Sequence, residues 1–457
     1  MSAPEAFARH VLGLDWNAVP APAQAAAQAF LLDTLAVGIA GRRAWLADEV
    51  LGVARSWGAA DADTPSAHVM GGGPRLPAPS AAFVNGFQIH CQEYDCVHEP
   101  AVVHPMAVIG AALMAEAEAR PVSGADFLAA LTGAVDVAAG LGVAALSPIR
   151  FFRPATAGLF GATLGIARLR GASLDQALDA LGYALAQAAG TMQAHVEGKP
   201  ALPLQIAGAA RAALVANDLA GAGIPGPHDV FEGPFGYLSL FEERSDLAPV
   251  IALLGQTFRI AEVSYKPFPT GRAAQGGIVL MQRLRESGVA ARDIRSIRLI
   301  APPLIERLVG RPAHGDMQVN YARLCFGYCG ALALRTGQVR LDGFTPEALR
   351  DSETLALAAR IEVVSDGSVN PAAFTPQTLA VRPTSGEAHT LTLDALYGSP
   401  ADPMRGDDIA AKRAECLAFG LIGPQPCLDA SLQEAVAALP RAASTDTLTA
   451  LISGRTA

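Results

Sequence analysis

The chain has 457 residues, of which 51% are hydrophobic, 17% charged and 6% aromatic. That length exceeds one simple core, and an alanine- and leucine-rich, aromatic-poor composition favours packed helices over a β-sandwich. A formal net charge of −9 with no basic block excludes the footprint that nucleic acid or an anionic membrane surface requires.

The first residues, MSAPEAFARHVLGLDWNAVP, carry an early glutamate and lack a basic segment followed by an apolar one, so they do not read as a signal peptide. No uninterrupted apolar stretch of about 18 residues stands out, and no membrane span is expected. Six cysteines (Cys91, Cys96, Cys325, Cys329, Cys416 and Cys427) form no CxxC pair, which suits a reducing, cytoplasmic setting.

Apolar spacing predicts helices over residues 22–40, 78–90, 102–118, 124–142, 156–169, 174–192 and 203–222. Ser173 and Gln176 have the spacing of a capping box before the sixth. Short Gly/Pro connections between them suit a bundle. The character changes near Gly255. FRIAEVSYKPF, SIRLIAP, RIEVVSD, TLAVRP and HTLTLDAL alternate or carry β-branched residues and read as strands, with helices between them at 271–287 and 319–336. Residues 405–453 return to helix. The expected architecture is therefore mainly α. A large helical domain (residues 1–255 plus 402–457) carries an inserted, smaller α+β lid domain (residues 256–401).

The stretch HCQEYDCVHEPAVVHPMAVIGAAL, from His90 to Leu113, crowds histidines, cysteines and carboxylates against an apolar run. Cys91, Cys96, His98 and His104 are zinc-competent, but C-x4-C-x-H-x5-H matches no compact zinc module. Asp95, His98 and His104 form a second conceivable ligand set. The acid/base reading places Asp95, His98 and His104 in a loop before a helix that begins near Pro105. There the free N–H groups favour an anion and a histidine can move a proton. A plain polar helix cap is the third reading.

Isolated cations recur in loops before helices: Arg153 in FFRPATAG, Lys199 beside His195 and Glu197 in AHVEGKPALPLQ, and Lys266 and Arg272 in SYKPFPTGRAAQGG. Such a distribution suits a substrate with several carboxylates. Tyr321 and Tyr328 are within reach of a site or pack in the core. No dinucleotide, P-loop or serine-elbow spacing occurs.

FLLDTLAVGIAG, AAFVNGFQIHCQEYD, HPMAVIGAAL, FFRPATAGLFGATLGIARL, LPLQIAGAARAALVANDLAGAG, FEGPFGYLSLF, YKPFPTGRAAQGGI and NYARLCFGYCGALAL occur in that order. Together they resemble the family of 2-methylcitrate dehydratase and cis-aconitate decarboxylase, the MmgE/PrpD family, over residues 5–440. The resemblance implies a homodimer and cofactor-independent chemistry on di- or tricarboxylic acids, with no metal. In the family's D-x-D-[DN]-T…HP pattern, Asp95 and His104 match the later acid and the histidine. Glu93 stands at the first acid and Val97 at the threonine. Arg153 stands where a histidine is usual, Leu202 and Gln205 where a lysine and a histidine are usual, and Gln275 at another histidine position; Lys266 is retained.

These departures loosen the link from family to substrate, while Asp95, His104 and Lys266, with Arg153, Lys199 and Arg272 as cations, still suit an anionic one. The expectation is a cytoplasmic, homodimeric lyase. His104, oriented by Asp95, is its acid or base and His98 or His195 its second proton carrier. Lys266, Arg272, Arg153, Lys199, Gln275 and Tyr321 bind a small polycarboxylate. An epimerase on the same scaffold and a non-catalytic carboxylate-binding homologue are the alternatives.

Overall fold

Helices Ala21–Gly41, Ala78–His90, Pro105–Ala119, Gly124–Ala144, Arg153–Leu169, Leu174–Gln187 and Ala201–Gly221 pack on one another as a bundle. The computed structural model that defines them describes residues 1–370, 372–421 and 427–454. Small residues at the crossings set how closely the helices approach. A Cβ on Gly161 would lie 2.3 Å from the carbonyl oxygen of Ala134, so glycine is what lets Arg153–Leu169 lie against Gly124–Ala144. Helix starts follow local chemistry: Pro105 occupies a first-turn position, and Ser173 and Gln176 form both hydrogen bonds of a capping box. The helix expected from 156 starts at Arg153, and the one expected to reach 192 ends at Gln187.

The expectation of no spanning-length apolar stretch needs correction. Ala21–Gly41 and Gly124–Ala144 are both long and apolar enough to cross a bilayer, but 67% and 94% of their respective apolar windows are buried among other helices. They serve as core helices here.

Strands Ile361–Ser365, Ile294–Ala301, Gln377–Pro383 and His389–Leu393 form a four-stranded sheet in that spatial order. The first pair is parallel and the other two antiparallel. Ile297, Leu299, Leu379 and Val381 are buried while Arg298 and Arg382 face solvent, the alternation of a sheet covered on one side. Helix Arg272–Glu286 packs on the Gln377–Pro383 and His389–Leu393 side, and Phe326–Thr336 on Ile361–Ser365.

FRIAEVSYKPF, expected as a strand, instead forms a 3₁₀ turn over Arg259–Glu262 and a single antiparallel bridge from Ser264 to Val97. Asp136 Oδ1 accepts the Arg259 N–H at 2.7 Å, and the turn packs on Ala21–Gly41 and Gly124–Ala144, so this segment has no strand neighbour to pair with. The predicted helix 319–336 is broken at Leu324 and Cys325 into Val319–Arg323 and Phe326–Thr336.

The C-terminal helices Gly406–Gly420 and Leu428–Ala438 pack on Ala21–Gly41, and Asp446–Ile452 packs on Pro105–Ala119. Residues 422–426, inside the predicted C-terminal helical stretch, lie outside the described residues. Lys412 secures this return: its buried ammonium is 2.7 Å from Asp33 and donates to the Tyr94 carbonyl at 2.9 Å.

Candidate active site

The helix Ala78–His90 ends and the helix Pro105–Ala119 begins at the two ends of one loop, residues 91–104, almost wholly buried. Bridges from Val97 to Ser264 and from His98 to Val103 hold it. Glu93 and Val102 adopt left-handed φ values of 50° and 51°, conformations that L side chains rarely take and that the surrounding packing must enforce.

The loop gathers ionisable groups around Asp95. His90 Nδ1 is 3.0 Å from Asp95 Oδ2, and His104 Nδ1 is 3.2 Å from the same oxygen. The Lys266 ammonium, with no exposed surface, donates to the Glu93 carboxylate at 3.0 Å and to its backbone carbonyl at 3.1 Å, and lies 3.8 Å from Asp95 Oδ1. Burial alone would neutralise both acids. Lys266 with His90 and His104 outweighs it, so the Glu93 pKa falls to about 2 and Asp95 lies well below the usual carboxylate range. Burial also opposes charge on His90, but Asp95 and Glu93 together raise its pKa. For His104, burial and the nearby Lys266 charge prevail over Asp95 and lower the pKa, leaving a neutral imidazole at pH 7.

His104 and Glu93 line a small cavity of about 60 Å³, together with His195 and Arg272. Those four are its only polar lining residues among seventeen. The other walls include Phe152, Met192 and Leu202 from the helical bundle, and Leu308, Val309, Leu324 and Phe374 from the sheet-bearing part. With Nδ1 turned to Asp95, His104 keeps Nε2 for the cavity.

His195 sits in the short helix Gln193–Glu197. Arg311 Nη2 donates to His195 Nδ1 at 3.2 Å and to its carbonyl at 2.7 Å. Burial first and Arg311 second push the His195 pKa down to about 3. Because a guanidinium can only donate, Nδ1 must be the acceptor and the neutral ring carries its proton on Nε2. His195 is therefore a neutral imidazole with an Nε2–H donor.

Arg272 starts the helix Arg272–Glu286 and is held on several sides. Its Nε donates to Glu99 at 2.8 Å, and its Nη1 to Gln275 Oε1 at 3.0 Å and to the Tyr397 carbonyl at 2.8 Å. Nη2 is 2.6 Å from Glu99 Oε1, a buried ion pair without a well-directed hydrogen bond, so a ligand would meet this nitrogen only by sharing it with Glu99.

Several residues expected at the site are placed elsewhere. His98 is buried with Nε2 on Glu262 at 2.8 Å and Nδ1 accepting the Ala101 N–H at 3.2 Å; both nitrogens are engaged in holding the loop, and it does not line the cavity. Arg153 turns away from the cavity into a bidentate pair with Glu242 (2.8 and 2.9 Å), although its neighbours Phe152 and Pro154 line the wall. Lys199 is exposed beyond the end of Gln193–Glu197. Gln275 donates to the carbonyls of Phe268 and Thr270 and so orients Arg272 without lining the cavity. Tyr321 donates to the Pro312 carbonyl at 2.7 Å and stacks under Arg311, 5.0 Å from its ring centroid, so it supports Arg311 and does not line the cavity.

Three further residues join the site that the sequence did not point to: Arg311, Glu93 as a cavity residue and His90 as a partner of Asp95. The five-residue spacing of His90, at the helix end, from Asp95 in the loop that follows was the available signal for the last; Arg311 carried none. His90, Asp95 and His104 each offer one ligand atom within 4.8 Å of the others. A divalent ion there would face the Lys266 ammonium, itself 3.8 Å from Asp95, so this donor set is already balanced by a protein cation and does not fit a metal centre.

Comparison with known proteins identifies the family of the chain. Residues 5–249 match the MmgE/PrpD N-terminal domain and residues 268–427 the MmgE/PrpD C-terminal domain. Similar proteins include the cis-aconitate decarboxylase-like protein oryM of Aspergillus oryzae, 27% identical over 95% of this chain and 94% of that one. The cis-aconitate decarboxylase of Homo sapiens is 26% identical over 89% of this chain and 86% of its own length, and that of Mus musculus is 26% identical over 90% and 86%.

Proposed function

Because the chain belongs to the MmgE/PrpD family, we propose that it is a cofactor-independent lyase that moves a proton at the carbon next to a carboxylate of a small organic acid. The observation that carries this reading is the facing set of a neutral His104, a neutral donor His195 and Arg272 around one cavity. Arg272 Nη2 neutralises the substrate carboxylate, which acidifies the adjacent C–H. His195 Nε2–H donates to the carboxylate oxygen as negative charge builds there in the enediolate-like state. His104 Nε2 takes or returns the carbon proton, and the Asp95 charge stabilises the imidazolium formed in between. Lys266 keeps Glu93 and Asp95 ionised beneath it.

The decarboxylases among its relatives favour carbon–carbon cleavage as the lyase type, and the apolar walls support it, since losing CO₂ disperses a charge that such walls solvate poorly. An epimerase needs two opposed proton carriers, and a His195 held neutral to about pH 3 is a poor second one.

The test is turnover of a panel of carboxylic acids, read as CO₂ release, alkene formation and deuterium uptake from D₂O. His104→Asn should lower turnover by roughly a hundredfold or more while circular dichroism stays native. Retained turnover in that variant would exclude the assignment.

A further inference from the structure

A cavity that received three carboxylates would need cations to meet them, and this one has a single guanidinium on its wall. Arg272 is already paired with Glu99 through both Nε and Nη2, so a ligand carboxylate would share that guanidinium with the acid. Lys266 has no exposed surface and is bound to Glu93, so it neutralises the protein's own acids. Arg153 is closed by Glu242, and Lys199 is out in solvent. Arg311 does not line the wall: it stands behind His195, which it holds in the donor form. Against that one cation the wall also presents the ionised Glu93, which repels a further carboxylate.

The rest of the lining is apolar. Leu202, at the start of the helix Ala201–Gly221, is buried and faces the cavity beside Met192, with Phe374 on the opposite part of the chain. A carboxylate placed there would lose its hydration without a counter-charge, whereas an alkyl group would gain from the same surface.

We propose that the substrate carries no more than two carboxylates, one of them on Arg272, and presents a short alkyl limb to the wall formed by Leu202, Met192 and Phe374. This rests on the lyase reading above in treating the cavity as the substrate site. Leu202 is then the specificity-determining residue, because a cation at that position would accept a carboxylate where the leucine accepts a branch.

The matched probes are 2-isobutylsuccinate and propane-1,2,3-tricarboxylate, which share a skeleton and differ by replacing one carboxylate with a dimethyl-substituted carbon of similar size. Isothermal titration of the full-length protein should give at least tenfold tighter binding of 2-isobutylsuccinate, and Leu202→Lys should narrow or reverse that ratio. Equal or tighter binding of the tricarboxylate by the unaltered protein, or binding of neither, overturns the proposal without recourse to any variant. Turnover separates the two readings. CO₂ release or deuterium uptake with the tricarboxylate in preference would sink the substrate class and leave the lyase. Selective binding of the branched acid, with no chemistry on it or any related acid, would sink the lyase and leave the ligand class.

Discussion

Lys266 is the residue on which the ionisation of the whole cluster depends. Its ammonium is fully buried and lies within 4 Å of two buried carboxylates. Lys266→Met would keep the volume and remove the charge, leaving Glu93 and Asp95 with only His90 and His104 as partners. Breaking a buried pair in this way costs about 3–5 kcal/mol, so urea unfolding should show a much lower midpoint with an unchanged slope. His195 makes a prediction of opposite character. Its pKa is depressed from 6.5 to about 3, so below pH 6.5 the unfolded chain binds a proton that the native chain refuses. Its contribution is therefore complete above pH 6.5 and is lost as pH falls towards 3. His195→Gln removes that loss, and the stability of the variant relative to the parent should improve by about 1.4 kcal/mol for each pH unit between 6 and 4. Denaturant titrations at three pH values measure the difference directly, and a pH-independent difference would place the His195 pKa near its ordinary value.

At the scale of elements, local rules and close packing contribute separately. The capping box of Ser173 and Gln176 sits on the surface, away from the cavity. Ser173→Ala should cost about 1 kcal/mol in unfolding experiments and leave catalysis untouched. Gly161 is the contrasting case, because a methyl group there meets backbone, the Ala134 carbonyl, and not the end of a flexible side chain. Gly161→Ala should cost roughly 1–3 kcal/mol through displacement of the two helices, with thermal unfolding as the measure. The same contrast explains which elements could be read from the sequence. Long periodic helices such as Ala78–His90 and Ala201–Gly221 carry their own signal, and so do strands with a buried face such as Ile294–Ala301. FRIAEVSYKPF carries the residue types of a strand but no neighbour to pair with, and strand formation is decided by partners that periodicity does not reveal. The break at Leu324–Cys325 was hidden for a related reason: neither residue is a helix breaker, and the two glycines of NYARLCFGYCGALAL lie inside the second helix.

Across the whole molecule, the site is assembled from both halves of the chain, and that limits what one sequence could disclose about it. Asp95 and His104 were legible because they share a short loop with a proline-initiated helix. The pairings that decide roles span large separations: Lys266 with Glu93 across 173 residues, Arg311 with His195 across 116, and Arg153 with Glu242 across 89. An arginine on a loop reads as a free cation until its acid is found, which is why Arg153 looked like a substrate ligand and Arg311 went unremarked. The same long-range pairing bears on the proposed division into a helical domain and a sheet-bearing one. Residues 1–255 include the bundle helices but not Lys266, Arg272 or the C-terminal Lys412 that neutralises Asp33. Expressed alone, that fragment would bury Glu93, Asp95 and Asp33 without their cations, and it would also expose the face of Ala21–Gly41 that Gly406–Gly420 covers. The expected outcome is a fragment without a cooperative thermal transition. Adding residues 256–457 in trans should restore one, because that segment supplies all three cations and the covering helix. A cooperative melt of the fragment by itself would make the bundle an autonomous domain and would remove the buried ion pairs from any role in its folding.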